Sequence, residues 1–124
     1  MVLVDTSVWI DHLRRGEAAL VRLLEEAQVL IHPFVVGELA LGRPSKRDEL
    51  LQALSSLPKV GMALDPEVLH FIETQDIAAS GVGYIDAHLL ASVRLTAGAA
   101  LWTRDRRLLS LADRLGCSWT PKQH

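Results

Sequence analysis

The chain opens with Val2-Leu3-Val4 and breaks at once into Asp5-Thr6-Ser7. Three apolar residues, two of them β-branched, predict a short buried strand. Val29-Leu30-Ile31, Val60 to Leu64 and Ala99 to Trp102 repeat the pattern, with helical periodicity in the stretches between. Strands alternating with helices predict a three-layer α/β/α sandwich around a mostly parallel sheet, with right-handed crossovers. In open sheets of this kind ligands collect at the carboxyl ends of the strands, where Asp5 stands. Thr6 or Ser7 can cap the helix that Val8-Trp9-Ile10 begins, and Asp5 itself can equally serve as a turn or capping residue.

The helices follow from spacing and punctuation. Thr6 to about Leu13 is a short helix stopped by Gly16. Glu17 to Ala27 carries Leu20, Leu23, Leu24 and Ala27 on one face. Pro33 opens a helix from about Phe34 to Leu41. Lys46 to Leu57 is helical, with Ser45 as its cap and Pro58 as its stop. Asp65-Pro66-Glu67 starts a helix reaching about Ala79, which Ser80-Gly81-Val82-Gly83 breaks. Another runs from Tyr84 or Ile85 to Leu95. The last, Asp105 to Leu115, ends at Gly116, and Cys117-Ser118-Trp119 adds an edge strand. At 124 residues the expectation is one domain, 1–124.

Composition narrows the class. Hydrophobic residues make up 49% and charged ones 23%, which is globular and not disordered. No apolar run approaches the roughly 18 residues that span a membrane, and the basic region and cleavage site of a signal peptide are missing. The single cysteine, Cys117, excludes an internal disulfide framework and a thiolate metal cage. Cytoplasmic residence is the expectation. A net charge of −2 argues against a polyanionic partner, but ten of the thirteen basic residues are arginines and they cluster. Arg14-Arg15, Arg43 with Lys46-Arg47, and Arg104-Arg106-Arg107 are candidates for phosphate contact, which the guanidinium fork suits. Solvated helix faces pairing with nearby acids are the plainer alternative.

Four acids stand out by context. Asp5 ends the first strand, and Asp105 follows the last through Thr103-Arg104. Glu38 sits mid-helix among Val35, Val36, Leu39 and Ala40. Asp86 lies near a helix start, just ahead of Ala87, Leu89, Leu90 and Ala91. Singly, each has an ordinary explanation: a partly exposed acid for Glu38, a dipole-favoured acid for Asp86, a helix cap for Asp105. Together at low dielectric they would shift one another's pKa values, and a divalent cation relieves that repulsion. Hard oxygen ligands suit Mg²⁺ or Mn²⁺, which can activate water against a phosphodiester. No histidine has zinc-ligand spacing, and no glycine-rich phosphate loop is present.

With these residues in view the chain resembles the PIN-domain ribonucleases, in particular the VapC-type toxins of toxin–antitoxin pairs. Val2 to Asp11 is similar to the family's opening, and Val36-Gly37-Glu38-Leu39-Ala40 to its second acidic motif. Tyr84 to Ala91 is similar to the third, and Leu101-Trp102-Thr103-Arg104-Asp105 to the fourth. The motifs occur in family order across essentially the whole chain. The resemblance implies a metal-dependent endoribonuclease with Asp5, Glu38, Asp86 and Asp105 binding Mg²⁺ or Mn²⁺, and Ser7 and Thr103 supporting them. It also implies a homodimer held inactive by a small antitoxin. Arg14, Arg15, Arg104, Arg106 and Arg107 are the candidate RNA contacts.

Two rivals come from other classes. A receiver domain shares the length, the sheet and an acidic Mg²⁺ pocket, but needs an acidic pair after strand one and a lysine after a late strand. Asp5-Thr6-Ser7 and Thr103-Arg104-Asp105 occupy those places. A haloacid-dehalogenase-type phosphatase wants a second Asp where Ser7 stands. The non-enzymatic rival is an RNA- or partner-binding module that uses the same acidic pocket without cleavage.

Overall fold

Val2, Leu3 and Val4 are all buried and form β1 (Val2–Val4), the centre of a parallel sheet in the computed structural model, which describes residues 1–122. β2 (Val29–Leu30) lies on one side and β3 (Ala100–Trp102) on the other, giving the order β2-β1-β3. Val2 faces Val29 and Ala100, and Leu3 faces Leu30 and Leu101. Among the described residues seven helices complete an α/β sandwich. The expected domain runs to residue 124, and its last two residues lie outside those described.

The sheet is narrower than the apolar runs predict. Val60 to Leu64 is no strand: pairing beyond β2 is a single parallel bridge of Ile31 with Lys59. Pro58 has no N–H to give a ladder. Further on, Gly61 N donates to Thr96 Oγ1 at 2.9 Å and Ala63 N to Ser92 Oγ at 3.1 Å. Side chains of a helix thus take the donors that a strand would spend on its neighbour. On the far side Cys117-Ser118-Trp119 does border β3, but only as one bridge. Leu101 N donates to Cys117 O at 2.7 Å and Trp119 N to Leu101 O at 2.8 Å.

Helix α1 (Thr6–Arg15) ends at Gly16, whose φ of 76° only glycine adopts freely. Neither Thr6 nor Ser7 caps it, because Thr6 is already its first residue and Asp5 holds the capping position. α2 (Ala18–Glu25) stops short of Ala27, which turns the chain at φ 55°. α3 (Pro33–Leu41) begins as expected behind a proline, capped by His32, whose Nδ1 accepts from Phe34 N at 3.0 Å. α4 (Arg47–Ser55) is entered through Lys46 at φ 52°, so Ser45 is not its cap. α5 (Asp65–Thr74) ends well before Ala79, since Asp76 and Ala79 both take positive φ. α6 (Tyr84–Leu95) and α7 (Arg106–Arg114) fall where the periodicity puts them.

α6 is buried continuously from Ala87 to Val93 and lies against β3. Leu89 and Leu90 join Leu3, Val4, Val8, Leu101, Trp102 and Leu108 in the main core. Each side chain buried this fully contributes about 1.5–3 kcal/mol. That core leaves the carboxyl ends of β1 and β3 as a rigid rim, from which the polar residues project.

Candidate acidic active site

The rim starts where β1 runs out. Asp5 N still donates to Trp102 O at 2.9 Å, extending the ladder by one bond, and the Asp5 side chain is 5% exposed. A buried carboxylate needs donors. Oδ2 receives two, from Ser7 Oγ at 2.7 Å and Thr103 Oγ1 at 2.8 Å. Each hydroxyl in turn accepts a backbone N–H from the loop after β3: Arg104 N to Ser7 Oγ at 3.0 Å, and Asp105 N to Thr103 Oγ1 at 3.1 Å. Both protons are thereby aimed at Asp5. Although Asp5 holds the capping position of α1, its side chain makes no cap bond, so the ordinary explanation for this residue does not apply.

Glu38 comes to the rim from α3. It is exposed while Val35 and Leu39 beside it are buried, so its apolar neighbours in the sequence do not bury it. Thr6 Oγ1 donates to its Oε1 at 2.8 Å and ties α3 to α1. Asp86 stands in the first turn of α6, partly buried. Burial raises its pKa from 3.8 to about 6, helped by the charges of Asp5, Asp105 and Glu38, in that order. One electrostatic field thus joins all four predicted acids. Asp105 caps α7, its Oδ1 accepting from Leu108 N at 3.0 Å, so it is a cap and a member of the acidic group at once.

Among the described residues no three carboxylate, imidazole or thiolate groups stand close enough to grip one ion together. The all-oxygen donor set around Asp86, strained by like charge, nonetheless fits a hard divalent cation, which keeps several of its own waters.

The predicted arginines separate into two kinds. Arg104 is paired with Asp11 and Glu17, and its guanidinium lies 5.8 Å from the centre of the Trp102 ring. Those hydrogen bonds pull the Asp11 and Glu17 pKa values down and push that of Arg104 up. Arg15 also faces Asp11, at 3.4 Å. For these two, pairing with nearby acids describes the geometry. Arg14, Arg106 and Arg107 have no carboxylate within 4.0 Å among the described residues. Arg14 shares with Glu38 the wall of a cavity of about 310 Å³, lined also by Ile10, Leu13 and Leu39.

Three features escape the sequence reading. One is the Thr6 hydroxyl on Glu38, signalled only by its place beside Asp5. Another is the anchoring of Arg104 across the chain. The third lies on another face of α6, where Tyr84 Oη donates to Asp65 Oδ1 at 3.0 Å and His88 Nε2 meets the same oxygen at 2.9 Å. Tyr84 and His88 are one turn apart, a legible spacing, but nothing local points to Asp65. Phe34 stacks between His88 and the fully buried His32. Burial, with His88 beside it, lowers the His32 pKa to about 4. Because His32 Nδ1 accepts, the neutral ring carries its proton on Nε2, which has no partner.

Known proteins resemble this chain over most of its length. The chain is 47% identical over 108 residues to "Ribonuclease VapC32" from two strains of Mycobacterium tuberculosis, covering 87% of this chain and 87% of each relative. A family model described as the PIN domain matches residues 2–114. That match starts at β1, closes at the end of α7 and takes in every acid of the rim; the chain belongs to the PIN-domain family.

Proposed function

We propose that this chain is a metal-dependent endoribonuclease, one nuclease domain over residues 1–124, acting in the cytoplasm as the toxin of a toxin–antitoxin pair. The observation that carries the reading is Asp86, whose pKa is raised to about 6 beside Asp5, Asp105 and Glu38 at the carboxyl ends of parallel strands. Family membership and the name of the relative, a ribonuclease, support it. Asp5, Glu38, Asp86 and Asp105 would hold Mg²⁺ or Mn²⁺. When bound, such an ion supplies an acidified water and neutralises charge on a phosphodiester. Ser7 and Thr103 donate to Asp5 and hold it aimed, and Thr6 does the same for Glu38. Asp86 has to lose its proton before it can act as a ligand.

RNA is the substrate class. Arg14, Arg106 and Arg107 are the stronger candidates for its phosphates, and Arg15 and Arg104 the weaker, because acids already occupy them. A single-stranded target suits side-chain access better than an A-form duplex. A homodimer and a small antitoxin are the proposed protein partners. Apolar side chains exposed between Glu17 and Leu57 include Val21 and Leu41, the latter 86% exposed, and outside that stretch Met62, Leu64, Leu69 and Leu95 are exposed as well. No helix among the described residues is long and apolar enough to cross a membrane.

Cleavage of single-stranded RNA, with and without EDTA, separates this reading from a binding module that does no chemistry. Asp5→Asn and Asp86→Asn are each expected to lose at least about a hundredfold in rate. Asp113→Asn, at an exposed position on α7, is the control. Wild-type cleavage by Asp86→Asn, or equal loss in the control, refutes the assignment.

A further inference from the structure

α7 does more than carry Asp105 at its start. Arg106, Arg107, Ser110 and Arg114 on this helix, with Ser80 from the loop before α6, line a cleft of about 330 Å³ whose floor is Leu111. Arg107, Ser110 and Arg114 recur at helical spacing and share a face. None of the three guanidinium groups has a carboxylate within 4.0 Å among the described residues, so their charges are uncompensated. Two of them are nonetheless held in place. Arg107 Nη1 donates to Gly81 O at 3.4 Å, and Arg114 Nη2 to Gln75 O at 2.6 Å. Carbonyls orient a guanidinium without cancelling its charge, and most of its five N–H donors stay available.

Gly81 is part of the seat. Its φ is +85°, and a Cβ there would come within 2.9 Å of Arg107 Nη1 and 3.0 Å of Arg107 Cδ. Only glycine lets the arginine lie against this loop. Ser80 Oγ accepts from Val82 N at 3.2 Å, which leaves its own proton to donate outward.

We propose that this cleft binds the phosphodiester backbone of the RNA on one side of the cleaved bond, with Arg106, Arg107 and Arg114 as its phosphate contacts. The inference rests on the ribonuclease reading above and adds Ser80, Ser110 and Arg114 to it. Charge complementarity selects the occupant: three positive groups and two hydroxyls, with no acid among them. Arg107 and Arg114 stand two turns apart, about 11 Å along the helix, and each is tethered to a different carbonyl. A row of that length suits successive phosphates of a strand better than one free phosphate ion. It begins beside Asp105 and runs away from the acids, so a strand lying in it enters the acidic rim end-on.

The test measures binding of a labelled single-stranded RNA of about twenty nucleotides by fluorescence anisotropy, between about 50 and 200 mM salt. Asp86→Asn protein, in EDTA, keeps the RNA intact. Each of Arg106→Gln and Arg114→Gln should lower the slope of log affinity against log salt by about 0.7, so that the advantage of the parent protein shrinks about 2.6-fold over that range. Ser110→Glu places a carboxylate in the cleft without touching either tether and should weaken binding as well, which covers the case that Arg114→Gln loosens the fold. The losses should shrink on an RNA of about four nucleotides, too short to reach along α7. Unchanged salt slopes in all three variants overturn the proposal. So does loss of a co-expressed acidic protein partner with RNA binding intact, which would make the cleft a protein-docking surface. Inorganic phosphate competing as well as the RNA does would reduce it to a simple anion site and also overturn it. Persistent cleavage by Asp86→Asn in Mn²⁺ would instead refute the acidic site and leave the salt slopes readable in EDTA.

Discussion

Asp86→Asn should make the metal-free protein more stable at neutral pH, although it removes a residue of the proposed active site. In the folded chain burial and three neighbouring carboxylates hold the Asp86 proton up to about pH 6, against 3.8 for the free group. Between those values the folded state keeps a proton that the unfolded chain has released, so stability falls as pH rises through the window. Above about pH 6 the penalty is complete, and below about pH 4 it vanishes. At 1.36 kcal/mol per pKa unit the upper bound is about 3 kcal/mol. Solvent screening of a half-buried group cuts this to about 1–2 kcal/mol. The variant also forfeits a dipole-favoured acid in the first turn of α6, worth about 0.3–1 kcal/mol. The net expectation is a gain of about 1 kcal/mol at pH 7, or about 4 °C in Tm. Thermal melts of both proteins in EDTA at pH 4, 5.5 and 7, and again in excess Mn²⁺, give the comparison. The gain should disappear at the acid end, and Mn²⁺ should stabilise the parent protein while the variant responds little. A variant destabilised in EDTA at pH 7, or a difference that ignores pH, would show that Asp86 is an ordinary helix-start acid.

Other residues give separate readouts. Thr6→Val removes the hydroxyl that donates to Glu38 while keeping the side-chain volume; cleavage should fall about tenfold with the salt dependence of RNA binding unchanged. Arg104→Gln frees the loop that carries Thr103 and Asp105, so it should lower cleavage about tenfold and shift the salt slope less than Arg106→Gln does. His32 acts on pH in the opposite sense to Asp86. Its pKa of about 4 lies below the ordinary 6.5, so the unfolded chain binds more protons and stability is lost as pH falls from about 6.5 toward 4. His32→Asn keeps a capping acceptor for Phe34 N and should flatten that acid limb in equilibrium unfolding, whatever its cost at pH 7. An acid limb as steep as the parent's would mean that His32 does not titrate on unfolding.

Local patterns were enough wherever a residue's fate depends on its near neighbours. The runs Val2 to Val4 and Ala100 to Trp102 pair in the sheet as their β-branched and apolar character requires. Pro33, Gly16 and Gly116 punctuate helices by their own backbone limits. The positions of Asp5, Asp86 and Asp105 near element ends were equally legible, since a strand end or first turn is a local feature, and Glu38 stood out as an acid among apolar neighbours in mid-helix. Failures came where a partner lies far along the chain. Val60 to Leu64 reads as a strand until Ser92 and Thr96, some thirty residues on, take its N–H groups. One failure was local: Lys46, left-handed at φ 52°, takes the capping position ahead of α4 that Ser45 was expected to hold.

The site divides along the same line. Residue type and order alone determined that four carboxylates and a row of arginines were available, because those depend on the chain and not on its path. Only the tertiary structure decided what each one does. It gave Asp5 two hydroxyl donors, one of them ninety-eight residues away, and it set Arg104 between Asp11 and Glu17 while leaving Arg106 and Arg107 uncompensated. The physical reason is range. Capping and periodicity act over three or four residues, whereas the pKa of a carboxylate and the availability of a guanidinium are set by whichever charges the fold brings within a few ångströms.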